Sequence, residues 1–497
     1  MNRRRSGWTN SVKVTVLAAC VALTLAGCGG TTSMVNGRAV TGLYDPGEVG
    51  GLPVSEGPSG PKPNAPQPTG TVKNTDNGEI DHLSMLAMND IEDFWKQNWP
   101  DAAKKPFKAV STFVSYDSHD PKSPIVCRIQ TYKLVNAAFV FNCNLVLWDR
   151  GQLFANAKKF FGDMSVVGIL AHEFGHALQF NGGLVDARTT PTLVKEQQAD
   201  CFAGVYLRWV AEGHSSRFNL TTGDALSHVM AGMLKISDPI MSEEEFEEGS
   251  SQAHGTGLDR ISAFQMGFDS GSGTCAKIDM NEIKNRRGNE PLALQQDSSG
   301  ETDTGEVTVD EDNVRTWVDI LNKVFSPKSP PTLSFDASKA CPDAKPTKGA
   351  SYCPATNTLT ADLPTLQQIG KPGGKGGMTD PQMLQGDNTA MSIISSRYAL
   401  AVQHEKGLPL DTADTAVRTA CLTGASQRNM AEPVSIPSGK TLVLTAGDLD
   451  KAVIGLLMNG VAASDVNGAN MPAGFTRVTA FRGGVLGNID ECFKRIT

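Results

Sequence analysis

Residues 172–179 read His-Glu-Phe-Gly-His-Ala-Leu-Gln and lie in an apolar run whose periodicity predicts a helix over about residues 160–180. On a helix, His172 and His176 lie one turn apart on one face, so both imidazoles can reach the same metal ion. Glu173 is adjacent, and its carboxylate is expected to act as the catalytic base that takes a proton from water activated by Zn²⁺. The spacing predicts a zinc site, although this pentapeptide pattern also occurs by chance on solvated helices.

A second helix, expected over about residues 193–210, carries two carboxylates one turn apart. Glu196 lies 20 residues past His176, and Asp200 follows it. A catalytic zinc site has three protein ligands, so Glu196 is the expected third ligand and one Zn²⁺ per chain is the expected cofactor. Asp200 is expected to accept the spare N–H of His172 and to fix its tautomer. The alternative is an ordinary Glu/Asp pair on a solvated helix face.

The N-terminus has the features of an export signal. Basic residues 3–5 precede an apolar stretch, residues 14–26, that is too short to span a bilayer. The Leu-Ala-Gly-Cys sequence at residues 25–28 resembles a bacterial lipobox, so Cys28 is expected to carry lipid after cleavage. An ordinary cleavage site with a free thiol is the alternative. The predicted location is the outer face of the bacterial cell membrane, with the protein exported and lipid-anchored.

Composition excludes several classes of protein. The 497 residues are 40% hydrophobic and 20% charged, which indicates folded domains rather than a disordered chain or an integral membrane protein. The formal net charge of -8 gives no electrostatic reason to expect a nucleic-acid partner. The predicted zinc site implies a peptide or protein substrate in the cell envelope as a partner, and the lipobox implies the membrane through the lipid anchor.

Changes in composition divide the chain into five parts. The prediction is a lipoprotein signal peptide (1–27), a lipidated Cys28 with a flexible Gly/Pro-rich tether (28–79), a zinc metallopeptidase domain (80–290), a polar linker (291–312) and a second domain (313–497). Within the first domain, an opening helix from Ile80 ends at Pro100, and β-rich runs at 110–116 and 138–148 predict a small sheet or hairpin.

The second domain is predicted to be a degenerate repeat of the first. The sequence at residues 257–264 has a near twin at residues 474–481, with Gly, Arg, Ala and Phe at matching positions. The alignment puts Ser396, Arg397 and Leu400 where the histidines and glutamate of the motif stand, so this domain lacks a metal site. It is expected to bind, cover or stabilise the active domain. Chance similarity is the alternative.

Eight of the ten cysteines are candidates for disulfide bonds, because Cys20 leaves with the signal and Cys28 is lipidated. Four cysteines in each domain allow three pairings per domain. The similar cysteine spacing in the two domains favours Cys127–Cys143, Cys201–Cys275, Cys341–Cys353 and Cys421–Cys492.

The motif residues at 172–179 and 196–204, with His254-Gly255-Thr256 leading to Arg260, resemble the neutral zinc metallopeptidase family of bacteria. With the lipobox, they resemble actinobacterial lipoprotein peptidases. The resemblance covers about residues 80–285 and implies a gluzincin-like, zincin-type core, α+β and mainly helical, with His, His and Glu on zinc. It also places His254 near the zinc, where an imidazole can stabilise an oxyanion during catalysis. A structural histidine is the alternative for His254, and Arg260 is interpreted as structural.

Three functions remain open from the sequence. The leading hypothesis is a membrane-anchored extracytoplasmic zinc metalloendopeptidase that hydrolyses peptide bonds with zinc-activated water. A lipoprotein scaffold or binding module that retains a peptidase fold is the second. A zinc hydrolase of cell-wall peptides is the third.

Overall fold

The chain is described by a computed structural model that covers residues 33–35, 38–40, 45–236, 255–295, 306–371 and 385–496. Met1–Gly42 forms one unit, in which β1 (Ser33–Val35) pairs antiparallel with β2 (Arg38–Val40), and Leu43–Thr497 forms another. The predicted signal peptide, Cys28 and His254 lie outside the described residues. Among the helices of the described ranges, none combines the length and apolar character needed to cross a bilayer.

Helices dominate the second of these units, which consists of a first half (45–295) and a second half (306–496). About 51% of the chain is helical and the sheets are small, which confirms the expected α+β, mainly helical class. The helices of the first half are α1 (Glu79–Gln97), α2 (Leu153–Phe161), α3 (Asp163–Gly182), α4 (Thr192–Ala211), α5 (Asp224–Ile236), α6 (Gly257–Ser270), α7 (Ser272–Cys275) and α8 (Met280–Arg287). Those of the second half are α9 (Glu311–Phe325), α10 (Leu363–Ile369), α11 (Asp387–Glu405), α12 (Ala413–Asn429), α13 (Ala446–Met458), α14 (Gly474–Leu486) and α15 (Ile489–Arg495).

The motif helix α3 begins three residues later than the periodicity predicts. Phe160 belongs to α2, and Gly162 separates the two helices with φ 81°. Glycine adopts this positive φ without a Cβ penalty, so the chain turns here and starts a new helix. At its other end, α3 stops at Gly183, which is left-handed with φ 68°.

The sheet of the first half flanks α3. Its strand order is β10-β11-β7-β6, with β10 antiparallel to β11 and the other neighbours parallel. The strands of this half are β3 (Glu48–Val49), β4 (Leu52–Pro53), β5 (Gly60–Pro61), β6 (Val72–Lys73), β7 (Thr112–Tyr116), β8 (Ile125–Val126), β9 (Ile129–Gln130), β10 (Ala137–Val140), β11 (Leu145–Asp149) and β12 (Phe218–Asn219). Strand β10 is an edge strand that contacts α3, and its backbone reaches Glu173 near the middle of the motif helix.

The sheet of the second half is built from β13 (Thr332–Ser334), β14 (Ala350–Cys353) and β15 (Thr358–Ala361). Strand β15 lies in the centre, parallel to β13 and antiparallel to β14. Strand β11 of the first half has the same two kinds of neighbour, parallel β7 and antiparallel β10.

The prediction of a flexible tether over residues 28–79 is wrong for residues 45–78. From residue 45 the chain packs against the first half: β5 pairs with β12 and β6 pairs with β7. The backbone N–H of Lys62 donates to the carbonyl of Arg217 (2.7 Å). Val49 of this segment is fully buried in the hydrophobic core, and Leu52, Val54 and Val72 pack against that core. These apolar residues recur at no regular spacing, so the sequence shows no hydrophobic period here.

Most of the buried apolar side chains of both halves belong to one continuous hydrophobic cluster. Helices α13 and α14 of the second half pack against α5 and α6 of the first. At this contact Gln265 donates to the carbonyl of Phe475 (2.9 Å), and the rings of Phe268 and Phe475 lie 5.4 Å apart. The two halves are therefore in extensive apolar and polar contact.

Disulfide bonds link the cysteines in the pairs that the repeated spacing favours. One of them ties α4, the helix of Glu196 and Asp200, to α7. The bonds are Cys127–Cys143, Cys201–Cys275, Cys341–Cys353 and Cys421–Cys492.

Candidate metal centre

Three side chains from two helices converge where the sequence predicts zinc ligands. The Nε2 atom of His172 lies 3.2 Å from Oε2 of Glu196, and Nε2 of His176 lies 3.4 Å from the same oxygen. Ligand atoms bound tetrahedrally to Zn²⁺ at about 2.0–2.2 Å are separated by about 3.3 Å, so the observed spacing suits such an ion. Two imidazoles and one carboxylate are also a donor set that zinc prefers.

The close approach of the two helices depends on the glycine inside the motif. A Cβ atom on Gly175 would lie 2.8 Å from Cα of Ala199 on α4, closer than carbon atoms pack. Without a side chain at Gly175, α3 and α4 approach closely enough for Glu196 to reach both histidines. The Gly of the motif is therefore explained by helix packing.

Asp200 and Arg260 hold the first histidine. Oδ1 of Asp200 lies 2.8 Å from Nδ1 of His172, and the guanidinium of Arg260 donates to both oxygens of Asp200 at 2.8 and 2.9 Å. Burial by itself would raise the pKa of Asp200, but Arg260 and His172 hold it at about 2. Asp200 is thus a charged acceptor that orients the ring of His172. The interpretation of Arg260 as merely structural missed its contact with Asp200.

His176 has its own orienting partner. Its Nδ1 atom lies 3.0 Å from Oε1 of Gln179, whose amide nitrogen donates to the carbonyl of Lys195 (2.6 Å). Gln179 belongs to the motif at residues 172–179, but no role is predicted for it from the sequence. The available signal was its position three residues after His176, on the same face of the helix.

Glu173 lies in the same site and contacts the edge strand of the sheet. Its Oε2 atom accepts a hydrogen bond from the backbone N–H of Phe139 on β10 (2.9 Å). Burial raises the pKa of Glu173, and the neighbouring His172 and His176 oppose that rise. A carboxylate with a raised pKa can both accept and return a proton near neutral pH.

Negative charge dominates around the two histidines. Burial alone would lower the pKa of His172, whereas Asp200 and Glu196 raise it to about 10. Burial likewise opposes the rise in the pKa of His176 that Glu196 causes. Such surroundings favour a bound cation between the imidazoles and Glu196.

A cavity of about 260 Å³ opens beside these residues. Its walls combine apolar side chains with the backbone of β10 and two cations. The lining residues are Asn136, Ala137, Ala138, Phe139, Ile169, His172, Glu173, His176, Phe180, Thr192, Lys195, Glu196, Met233 and Arg260. The cavity is large enough for one or two amino-acid side chains, and Glu173 faces it together with the candidate ligands.

The second half contains no comparable cluster within the residues that the structure describes. Arg397 is fully buried there and donates to the backbone carbonyl oxygens of Asp465 and Ser464. The other described group with metal-ligating atoms includes Cys341 and Cys353, which are joined in a disulfide bond. The described donor sets therefore point to one metal site, in the first half.

Comparison with known proteins identifies a family. A family profile described as "Putative neutral zinc metallopeptidase" matches residues 18–280, more than half of the chain. No curated protein and no solved structure matches it. The match confirms the resemblance inferred from the motifs, and its name implies zinc as the metal that suits His172, His176 and Glu196. The chain therefore belongs to the neutral zinc metallopeptidase family.

Proposed function

We propose that this protein is a zinc metalloendopeptidase that acts outside the cytoplasmic membrane, with one Zn²⁺ per chain and a lipid anchor on Cys28. The convergence of His172 and His176 on Glu196, with Glu173 in the same cavity, is the observation that carries the activity. The lipobox-like residues 25–28 support the anchor and the location.

Different residues of the site have different roles in the proposed peptide hydrolysis. Bound Zn²⁺ supplies a Lewis acid that polarises a carbonyl group and lowers the pKa of water. His172, His176 and Glu196 would hold the ion, and Asp200 and Gln179 orient the two imidazoles. Glu173, which the backbone N–H of Phe139 holds in the same cavity, accepts a proton from the attacking water and returns it to the leaving amine.

Metal content and cleavage of defined substrates test this function. We expect the purified full chain to bind one zinc and to cleave a peptide library, and Glu173→Gln to keep the zinc while losing activity by about 10²–10⁴-fold. Glu212→Gln, which alters an exposed ion pair with Arg208 on the same helix as the ligand Glu196, is the matched control. A zinc-free wild type, or a Glu173→Gln variant with full activity, would contradict the proposal.

The choice of substrate in that assay separates the related functions. Cleavage of cross-linked cell-wall peptides, but not of the peptide library, would make the protein a zinc hydrolase of the cell wall. Zinc binding without cleavage of either substrate would favour a scaffold. For the anchor, wild type should partition into detergent and Cys28→Ala should not.

We also propose that the second half is a degenerate copy of the first. In both halves a glycine allows two helices to touch: a Cβ on Gly204 would lie 2.2 Å from the carbonyl oxygen of Phe264, and one on Gly424 would lie 2.0 Å from that of Phe481. Gly204 and Gly424 follow Cys201 and Cys421 by three residues. The same close contact therefore recurs at matching positions.

Two arginines repeat a second contact. Nη1 of Arg260 donates to the carbonyl of Met233 (3.0 Å), and Nη1 of Arg477 donates to that of Leu456 (2.9 Å). The strand arrangement is a third similarity, because β11 and β15 each have one parallel and one antiparallel neighbour. An experimental structure tests the duplication: helices α3, α4, α5 and α6 should superpose on α11, α12, α13 and α14, and a different order would refute it.

A further inference from the structure

We propose that the second half positions the candidate zinc site through Asp450, which makes it a positioning element for catalysis rather than a cover alone. The inference rests on the zinc peptidase function proposed above. Asp450 lies in the second half, which lacks the metal-binding motif.

The contact between the halves lies at the start of α6. Oδ1 of Asp450, on α13, accepts a hydrogen bond from the backbone N–H of Gly257, the first residue of α6 (2.6 Å). The first amides of a helix have no partner within the helix, and a carboxylate there is also favoured by the helix dipole. Asp450 thus adds a hydrogen bond from the second half to the first turn of a helix that Thr256 and Asp259 also cap within the first half.

The same turn of α6 carries the arginine that supports the metal site. Arg260 follows Gly257 by three residues, and its guanidinium binds both carboxylate oxygens of Asp200 at 2.8 and 2.9 Å. Asp200 in turn lies 2.8 Å from Nδ1 of His172. A continuous path of hydrogen bonds and one helical turn therefore runs from Asp450 to a candidate zinc ligand.

Burial makes this path sensitive to position. Arg260 and Asp200 are 4% and 1% exposed, so water has little access to replace a hydrogen bond lost between them. A shift of the first turn of α6 must move the guanidinium and, with it, the carboxylate that orients His172. Metal affinity depends on such orienting partners, whose loss typically weakens binding by about 10–100-fold.

A second contact between the halves matches the first in position but differs from it in chemistry. The backbone N–H of Gly474, the first residue of α14, donates to Oγ of Ser227 on α5 (2.9 Å). Each half therefore caps a helix of the other. The cap on α14 is a neutral hydroxyl, and Arg477 on that helix donates to backbone carbonyl oxygens, including that of Met471. The cap that Asp450 supplies is the one that leads to the metal site.

Zinc affinity of the full chain, measured by competition with a chromophoric chelator, tests the proposal. We expect Asp450→Ala to weaken zinc binding by about 3–10-fold, less than direct loss of an orienting partner, and to lower kcat with little change in KM. Asp450→Asn keeps an oxygen that accepts from Gly257, so it should restore most of the affinity. The absorption spectrum of the Co²⁺-loaded protein should change in Asp450→Ala and return in Asp450→Asn.

Asp310→Ala is the matched control. Asp310 also accepts a backbone N–H at the start of a helix, from Asn313 (2.8 Å), but on α9 in the second half. Its loss should reduce thermal stability to a similar degree without changing zinc affinity or the Co²⁺ spectrum.

A double-mutant cycle supplies the second measurement. Arg260→Lys combined with Asp450→Ala should be non-additive in zinc affinity, because both act on Asp200, whereas Arg260→Lys with Asp310→Ala should be additive. Unchanged zinc affinity in Asp450→Ala, or additive effects with Arg260→Lys, would overturn the inference. If Asp450→Ala does not fold, Asp450→Ser takes its place in the cycle, because the shorter side chain stays polar but does not reach the backbone N–H of Gly257. A wild type that binds no zinc would instead refute the proposed function.

Discussion

Nδ1 of His172 lies 2.8 Å from Oδ1 of Asp200, and Arg260 holds that carboxylate from its other side. The candidate ligand is therefore oriented by a residue on a second helix, which is itself paired with a residue on a third. This arrangement links metal binding to the packing of α3, α4 and α6.

Replacement of Asp200 should weaken the binding of zinc more than the binding of a peptide substrate. We expect Asp200→Asn to weaken zinc binding by about 10–100-fold, because the ring of His172 loses its charged acceptor. The variant should also unfold more easily, by about 3–5 kcal/mol, because Arg260 stays buried without its ionic partner. Chelator competition and thermal unfolding measure the two effects. Asp186→Asn, at an exposed loop position, is the control and should change neither.

Addition of one methyl group at Gly175 should separate the two metal-binding helices. Its Cβ would lie 2.8 Å from Cα of Ala199, so Gly175→Ala should destabilise the fold by about 1–3 kcal/mol and weaken zinc binding. Denaturant unfolding measures the loss. Gly273→Ala is the control, because a Cβ there has no atom within 4 Å. Equal stability of the two variants would show that α3 and α4 do not need the close contact.

The free energy of unfolding should fall as the pH rises from about 4.5 to about 8, because one buried carboxyl group keeps its proton only in the folded state. Burial, with the nearby charge of Asp259, raises the pKa of Glu290 to about 8. The folded state therefore holds a proton that the unfolded state releases in this range, and each pH unit costs up to about 1.4 kcal/mol. Glu290→Gln cannot release a proton and should flatten the slope. Unfolding curves of both proteins at pH 5, 6, 7 and 8 measure it, and parallel slopes would contradict the assignment.

Removal of the disulfide bond next to the metal site should cost more stability than removal of a remote one. The Cys201–Cys275 bond joins residues that are 74 positions apart in the sequence. Its loss should destabilise the fold by about 4 kcal/mol, because the unfolded chain regains the entropy of a long loop. Because Cys201 follows Asp200 on α4, zinc affinity should also fall. The control is removal of Cys341–Cys353, with a separation of 12 residues, which should cost about 3 kcal/mol and leave zinc affinity unchanged. Unfolding and chelator competition on the two double Cys→Ala variants measure both effects.

Local spacing accounts for the parts of the site that were predicted from the sequence. His172, Glu173 and His176 share one helix, and Glu196 and Asp200 share another, so their relative positions follow from 3.6 residues per turn. Helix α3 was placed within a few residues, and the error at its start arose because Gly162 interrupts an apolar pattern that continues through α2. The repeated cysteine spacing likewise predicted the disulfide pairs.

Contacts between distant segments were not predictable in this way. The sequence contains no periodic signal that brings Phe139 to Glu173, Arg260 to Asp200, or Asp450 to Gly257. It also suggested a flexible tether where residues 45–78 pack against the first half, because the few apolar residues there, such as Val49 and Val72, recur at no regular spacing.

The amino-acid sequence by itself thus determined which side chains can hold a metal and which family the chain resembles, because those properties reside in residue type and helical spacing. Only the tertiary structure decided how the site is supported. The hydrogen bonds that orient the imidazoles and connect the second half to α6 depend on how helices pack, and packing brings together residues as far apart as Gly257 and Asp450.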